Sequence, residues 1–149
     1  MLMSLLFIRD AVMRFLLGTR AFTAGLPTLG TTKSTVKTTA AINYCIDGIM
    51  YVKAATDDLF VFTDVTVQAI STTKYYLLCL NAAGTALIVN GAVGSTKLPV
   101  APDGYCPVGY VKITTSGAGT FVPGTTLLDA AQITDTYVDI SCAPVAALA

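Results

Sequence analysis

The amino-acid sequence predicts an all-β fold, a β-sandwich or jelly-roll-like barrel of antiparallel strands, preceded by an N-terminal helical arm. Thr, Val, Ile and Tyr recur along the 149 residues, often as Thr pairs, and these residue types fit the pleated, half-buried surface of a strand. Short apolar runs alternate with turns that contain Gly or Pro, which is typical of sandwiches and barrels. The chain is long enough for one domain.

The firmest local prediction is a β-hairpin at Asp47 and Gly48, because two β-rich runs flank an Asp-Gly step that suits a type I′ turn. A second hairpin is predicted around the turn Asn81–Gly84. The stretch 98–107 holds three prolines and is predicted to cross between strands without being a central strand itself, because Pro cannot donate to a ladder. The predicted strands cover residues 40–46, 49–54, 59–62, 65–70, 74–80, 85–89, 108–114, 120–122 and 136–140.

Composition divides the chain into segments. They are an apolar helical arm at 1–18, an extended linker at 19–39, a β-sandwich domain at 40–141 and an apolar C-terminal tail at 142–149. Gly, Pro, Thr and Lys replace the apolar runs at 19–39, which predicts either an extended linker or a first edge strand there.

The arm has three interpretations. A signal peptide needs a basic region before an unbroken apolar stretch, and Arg9 and Asp10 interrupt this one. A transmembrane helix needs about 20 apolar residues, and this segment is shorter and carries charges. The favoured interpretation is an amphipathic arm that binds a groove on a partner or on a second copy. Its predicted partner-binding residues are Leu5, Leu6, Phe7, Val12, Met13, Phe15, Leu16 and Leu17.

The surface chemistry predicts association with other subunits. Hydrophobic residues make up 54% of the chain and charged residues 12%, whereas an ordinary domain carries about 25% charged residues, and the mean hydropathy is +0.68. This number of charged side chains is too small to cover the surface of an isolated domain. We therefore expect partner subunits to cover part of that surface. The net charge of zero argues against nucleic-acid binding.

Several residue types that carry chemistry are missing. The sequence has no His and no Glu, which removes the usual general base and the commonest metal ligand. We therefore predict no enzymatic activity, no cofactor and no metal site. The four cysteines, Cys45, Cys79, Cys106 and Cys142, are widely spaced. Their even number allows two disulfides, but reduced thiols buried in the core are the favoured interpretation.

The remaining chemical motifs are weak. Ser34-x-x-Lys37 and Ser71-x-x-Lys74 match the S-x-x-K pattern of a Lys-activated serine, but the supporting motifs of such enzymes are absent. The pair Asp57-Asp58 offers too few oxygen ligands for calcium and is predicted to be a turn. No spacing selects a catalytic pair among the carboxylates Asp47, Asp64, Asp103 and Asp139. The tyrosines predict strand packing more readily than a sugar-binding platform.

Two motifs carry a family resemblance. The run Ala41–Lys53, of the form I-x-G-x-x-Y, is followed by Leu98–Tyr105 and Val108–Val111, of the forms P-x-G and x-G-x-V. This pattern resembles small virion proteins of tailed bacteriophages, in particular capsid decoration (cement) proteins. The resemblance implies a virion protein, assembled in the host cytoplasm, that is commonly a homotrimer. Its expected partners are the major capsid protein and copies of itself, with no nucleic acid or membrane.

The same resemblance leaves a second assignment open. A tail-fibre or head-fibre module would bind a glycan or a receptor on the host surface, and phage fibre proteins share the loose pattern of hairpin and Gly-containing strand. A third hypothesis is a membrane-associated protein held through residues 1–17. The arm is not part of the resemblance, so it does not distinguish head from tail or fibre.

Overall fold

The protein is all-β in its computed structural model, which describes residues 18–63 and 66–141. The strands are β1 Arg20–Ala21, β2 Pro27–Leu29, β3 Thr35–Thr38, β4 Ile42–Ile46, β5 Ile49–Lys53, β6 Phe60–Val61, β7 Thr73–Asn81, β8 Ala86–Asn90, β9 Tyr105–Thr115 and β10 Ile133–Asp139. The arm predicted over 1–18 lies outside the described residues except for Gly18, and so does the tail at 142–149. Within the described residues there is no helix that could cross a membrane.

The described strands form three antiparallel sheets. Their orders are β1-β4-β5, β10-β9-β7-β8 and β2-β3-β6. One continuous core draws on all three, since Val36 of β3, Tyr44 of β4 and Leu78 of β7 are buried in the same cluster. All-β architecture with antiparallel pairing is therefore confirmed.

The predicted hairpin at Asp47 and Gly48 is confirmed. It joins β4 to β5 with Ile46 opposite Ile49, and its two turn residues have φ of 49° and 78°. Both values lie in the left-handed region that a type I′ turn requires. The second predicted hairpin is confirmed as well, with β7 and β8 meeting around the turn 82–85.

The segment 19–39 differs from the predicted linker, because it contains β1, β2 and β3 and belongs to the folded body. Val36 is fully buried and Ala21 nearly so. Gly25 and Gly30 lie between short strands, and Pro27 is the first residue of β2, so these residues do not prevent strand formation. Gly25 also allows a close approach, because a Cβ there would lie 2.6 Å from the side chain of Ile42.

The prediction that 98–107 contains no central strand is wrong at its end, where β9 begins at Tyr105 and includes Pro107. Strand β10 pairs with β9 only from Gly109 onward. Pro107 is therefore paired on one side alone, with Cys79 of β7, next to an irregularity in the register. A proline is tolerated there because no donor is needed toward β10.

Two predicted strands, 65–70 and 120–122, are reduced to a single bridge between Gln68 and Phe121. The predicted half-buried alternation fails because this segment carries its own buried polar group. Gln68 is 0% exposed, and its side-chain amide donates to the carbonyls of Thr72 and Ile113 at 3.0 Å. Its side-chain oxygen accepts from the hydroxyl of Tyr76 at 3.1 Å.

Candidate interaction surface

The β5 strand is the most unusual surface of the described chain, because it is both apolar and exposed. It lies at the edge of the β1-β4-β5 sheet, and among the strands of residues 18–63 and 66–141 it pairs only with β4. Ile49 is 45% exposed, Met50 52% and Val52 69%. Exposed apolar strand edges template pairing with other chains, so we call Ile49–Lys53 the β5 edge and treat it as the candidate site.

The other described sheet edges carry the features that normally prevent such pairing. Strands β1 and β6 are two residues long, and β2 begins with Pro27. Strand β10 carries Asp135 and Asp139. Strand β8 is partly buried along its whole length and contacts β6. Short strands, Pro, charges and cover are the usual means of protecting an edge. The β5 edge has only Lys53 at its end.

The main-chain N–H and C=O groups of β5 alternate along the strand between pointing toward β4 and pointing away from it. In the Asp47-Gly48 turn, Ile46 and Ile49 are the first and fourth turn residues and form the hydrogen-bonded pair. Hydrogen-bonded and non-hydrogen-bonded pairs alternate along an antiparallel ladder. The N–H and C=O groups of Met50 and Val52 therefore point away from β4, toward the open side of the sheet.

The side chains of β5 divide between two faces. Tyr51 lies on the core side, where its ring is 5.6 Å from that of Tyr44. Met50 and Val52 lie on the outer side, opposite Cys45 and Asn43. Tyr51 therefore attaches β5 to the core, whereas the side chains of Met50 and Val52 are more than half exposed.

The tip of the β4–β5 hairpin adds a cleft to this region. Its volume is about 360 Å³, and Thr19, Asp47, Val100, Asp103, Tyr105 and Pro107 are among the residues that line it. Val100 is 87% exposed. The main-chain oxygen of Gly18 accepts from Gly48 N–H at 3.0 Å and from the Cys45 thiol at 2.8 Å. Residues 1–17 therefore join the folded body at this tip.

The cleft brings together two carboxylates that the sequence could not pair. Asp47 and Asp103 line it from two different Asp-Gly turns, and both are exposed. Asp47 accepts from the Thr19 hydroxyl at 3.4 Å. Asp139 lies elsewhere and accepts from Leu26 N–H at 3.1 Å, while Asp64 is outside the described residues. The cleft thus has an acidic rim with Tyr105 as its aromatic wall.

The pair Asp57-Asp58 forms a turn, as predicted. Asp57 accepts from the hydroxyl and the N–H of Thr31, and Asp58 accepts from the hydroxyls of Thr32 and Thr35. These donors lower the pKa of both carboxyls, with the Thr31 hydroxyl as the main cause for Asp57 and the Thr32 hydroxyl for Asp58. Within 18–63 and 66–141, no group of three His, Cys, Asp or Glu side chains could hold a metal ion.

Three of the cysteines are fully buried, as predicted. They are Cys45, Cys79 and Cys106; Cys45 is not free, since its thiol donates to the Gly18 carbonyl, and Cys142 lies outside the described residues. Leu80 pairs with Cys106, and Cys79 pairs with Pro107. Adjacent Cys79 and Leu80 point to opposite faces of the sheet, so the thiols of Cys79 and Cys106 do too. Burial raises the pKa of both the Cys79 and the Cys106 thiol to about 12.

These thiols predict a loss of stability at alkaline pH. Above about pH 8.5 the unfolded thiols ionise, while the folded thiols of Cys79 and Cys106 stay protonated until about pH 12. The unfolded state then binds fewer protons, so the free energy of unfolding falls by up to about 1.4 kcal/mol per pH unit for each thiol. Urea unfolding between pH 8 and 11 measures this slope.

The matched control for the alkaline slope is the double variant Cys79→Ala/Cys106→Ala. Its absolute stability is lower because two core side chains are truncated, but its slope against pH should be clearly shallower than that of the parent. Part of the slope should remain, because burial also raises the pKa of Tyr44. Equal slopes in the two proteins would show that these thiols ionise normally in the folded state.

The Ser-x-x-Lys motifs have structural settings. Lys74 is 4% exposed, and its ammonium lies 5.0 Å from the centroid of the Tyr76 ring, a cation–π arrangement. Ser71 has a φ of 54° in the turn before β7. Lys37 lies on β3 and is half-buried, whereas Ser34 belongs to the turn before that strand.

Comparison with protein-family models, with curated proteins and with solved structures gives no match. All eight arm residues predicted to bind a partner, Leu5 to Leu17, lie outside the described residues. The β5 edge was not predicted as a site. Its signal in the sequence is the run Ile49-Met50-Tyr51-Val52, which has no polar residue on either strand face.

Proposed function

We propose that this chain is a non-enzymatic structural subunit of a larger protein assembly. The observation that supports this proposal is the exposed apolar surface at the β4–β5 hairpin, where Ile49, Met50 and Val52 are accessible. Val100, at 87% exposure, lies beside the hairpin tip. Burial of such residues against a partner stabilises a complex by roughly 25 cal/mol for each Å² removed from water.

The assembly that we propose is the outer surface of a bacteriophage capsid. This part of the proposal comes from the resemblance of Ala41–Lys53 and the later Gly-containing strand to decoration proteins, and the all-β architecture with three antiparallel sheets is compatible with it. A subunit that binds the assembled shell, but not free capsid protein, stabilises the shell by mass action. The apolar arm would contribute further buried area from the same hairpin tip.

Binding to assembled shells tests this function. We expect the full chain to co-sediment with shells of the major capsid protein encoded in the same genome, and not with the unassembled subunits. We also expect it to raise the temperature at which the shells break open. Equal recovery with assembled and unassembled capsid protein, or none with either, would remove the capsid assignment.

Two variants locate the contact. Val100→Asp places a carboxylate at the hairpin tip, and Phe15→Asp places one in the arm; each should weaken shell binding at least about 10-fold, since a charge must be desolvated at the contact. Val93→Asp is the control because Val93 is also an exposed valine of the β8–β9 connection, at 51%, but does not line the cleft at the hairpin tip. Shell binding that is equally weakened by Val93→Asp would argue against a contact at the tip.

A glycan- or receptor-binding fibre module is the second candidate function. The observation that favours it is the cleft, in which the exposed carboxylates Asp47 and Asp103 stand beside Tyr105, since carboxylates and an aromatic ring suit sugar hydroxyls and a sugar face. A glycan array distinguishes the two. Sugar binding that is lost in Asp103→Asn would support the fibre module, and a blank array together with shell binding would support the capsid subunit.

A further inference from the structure

We propose that the β5 edges of two copies pair with each other in antiparallel orientation, around a two-fold axis at Tyr51. The product is a continuous sheet of order β1-β4-β5-β5-β4-β1 across the dimer. The inference stands on the strand edge alone and holds whether or not the assembly is a capsid.

The alternation of main-chain groups along β5 allows this register, and among the allowed registers only this one places Met50 opposite Val52. The outward-pointing N–H and C=O groups are those of Met50 and Val52, as derived from the Asp47-Gly48 turn. With Tyr51 on the axis, Met50 of one copy lies opposite Val52 of the other. Each such pair exchanges two hydrogen bonds, so four main-chain bonds form across the axis. A register shifted by one residue would leave these groups unmatched.

The side chains are self-complementary in the same register. On the outer face, Met50 meets Val52 of the second copy, and the two most exposed apolar side chains of the strand become buried together. The only charged residue of the strand is Lys53, and it lies opposite Ile49 of the second copy instead of a second Lys. Like charges opposite each other would be destabilising, and this arrangement avoids them.

A second copy explains the edge better than an unrelated partner. Tyr51 is the central residue of the five-residue strand, so with Tyr51 on the axis all five residues of one copy have a partner in the other, and the exposed apolar Met50 and Val52 cover each other. An isologous contact of this kind closes after two copies. A contact of this kind gives dimers, whereas the resemblance to capsid decoration proteins implies trimers. The mass of the chain in solution distinguishes a dimer from a trimer.

The first experiment measures the mass of the full chain by sedimentation equilibrium across a range of concentrations. We expect a dimer for the parent. Val52→Asp should raise the dissociation constant at least about 100-fold, because it places an unpaired carboxylate in the contact twice. Val61→Asp is the matched control, since Val61 is likewise an exposed valine, at 52% compared with 69% for Val52, and lies on the edge strand β6. This substitution should leave the dimer unchanged.

The register is tested by rescue. In the double variant Met50→Lys/Val52→Asp, each Lys lies opposite an Asp of the second copy, so the dissociation constant should return to within about 10-fold of the parent value. A shifted register or a different surface predicts no rescue. Both positions are exposed in the folded chain, so circular dichroism should show an unchanged fold in every variant.

Cross-linking gives an independent readout. Around the axis the two Tyr51 residues form a non-hydrogen-bonded pair with Cα atoms about 4.5 Å apart, within the span of a disulfide. In a Cys142→Ser background, Tyr51→Cys should oxidise to a covalent dimer. Val52→Cys should not form a disulfide. The spacings within and between strands put the Cα atoms of residue 52 in the two copies about 8 Å from each other, which is too far for a disulfide. A monomeric parent, a Val52→Asp dimer of parental affinity, or equal cross-linking at 51 and 52 would each overturn the proposal.

Discussion

Replacing Phe121 by Ala should destabilise the protein by about 3–5 kcal/mol, the range for large-to-small changes at fully buried aromatic sites. Phe121 is 0% exposed. Its ring centroid lies 5.7 Å from that of Phe62 and 6.0 Å from that of Tyr76, and Phe62 and Tyr76 also contact each other edge-to-face. Removal of one ring therefore leaves a cavity and breaks two aromatic contacts.

Thermal unfolding followed by circular dichroism checks this expectation. For a domain of this size the predicted cost corresponds to a drop in Tm of roughly 10 °C or more. Val100→Ala is the control, because Val100 is 87% exposed and its truncation should change Tm very little. A cost below about 1 kcal/mol for Phe121→Ala would mean that the three rings do not form the centre of the core.

Replacing Gln68 by Leu should cost about 2–3 kcal/mol, although the side chain keeps nearly the same volume. Leu cannot donate to the carbonyls of Thr72 and Ile113 or accept from the Tyr76 hydroxyl, and all three of these bonds involve a residue that is 0% exposed. Buried polar groups that lose such partners bear the full cost of desolvation.

A double-mutant cycle with Tyr76→Phe isolates the bond between the two side chains. The two single substitutions should be non-additive by about 0.5–1 kcal/mol or more, because each removes the same hydrogen bond. Gln132→Leu is the control, since Gln132 is half-buried and the identical substitution there should cost little. If Gln68→Leu and Gln132→Leu have equal effects on urea unfolding, the buried network is not a source of stability.

Local signals in the sequence predicted the elements that depend on local chemistry. The Asp47-Gly48 turn needs only two residues with positive φ, and the structure has them. The burial of Cys45, Cys79 and Cys106 followed from their positions in apolar runs. By contrast, Pro107 can lie in β9 only because β10 stops pairing at Gly109, and that depends on the register of a strand 26 or more residues further along the chain.

The candidate site could not be predicted because it depends on the order of strands. An apolar run such as Ile49–Val52 is equally typical of a strand buried on both sides. Whether it is buried or exposed is decided by which strands lie beside it, and the β1-β4-β5 order places it last. The short β1 strand, in a segment that the sequence predicted to be a linker or a first edge strand, lies on the other side of β4, so β5 has no second neighbour among the described strands.

The attachment of Gly18 at the hairpin tip determines how the seventeen preceding residues are presented. In an antiparallel pair of β5 edges the two tips point in opposite directions, so the two copies would hold Gly18 at opposite ends of one continuous sheet. A target lattice with a matching repeat could then be held at two points at once. Bivalent attachment of this kind raises avidity far above the affinity of either point, and the advantage disappears when the spacing of the lattice does not match.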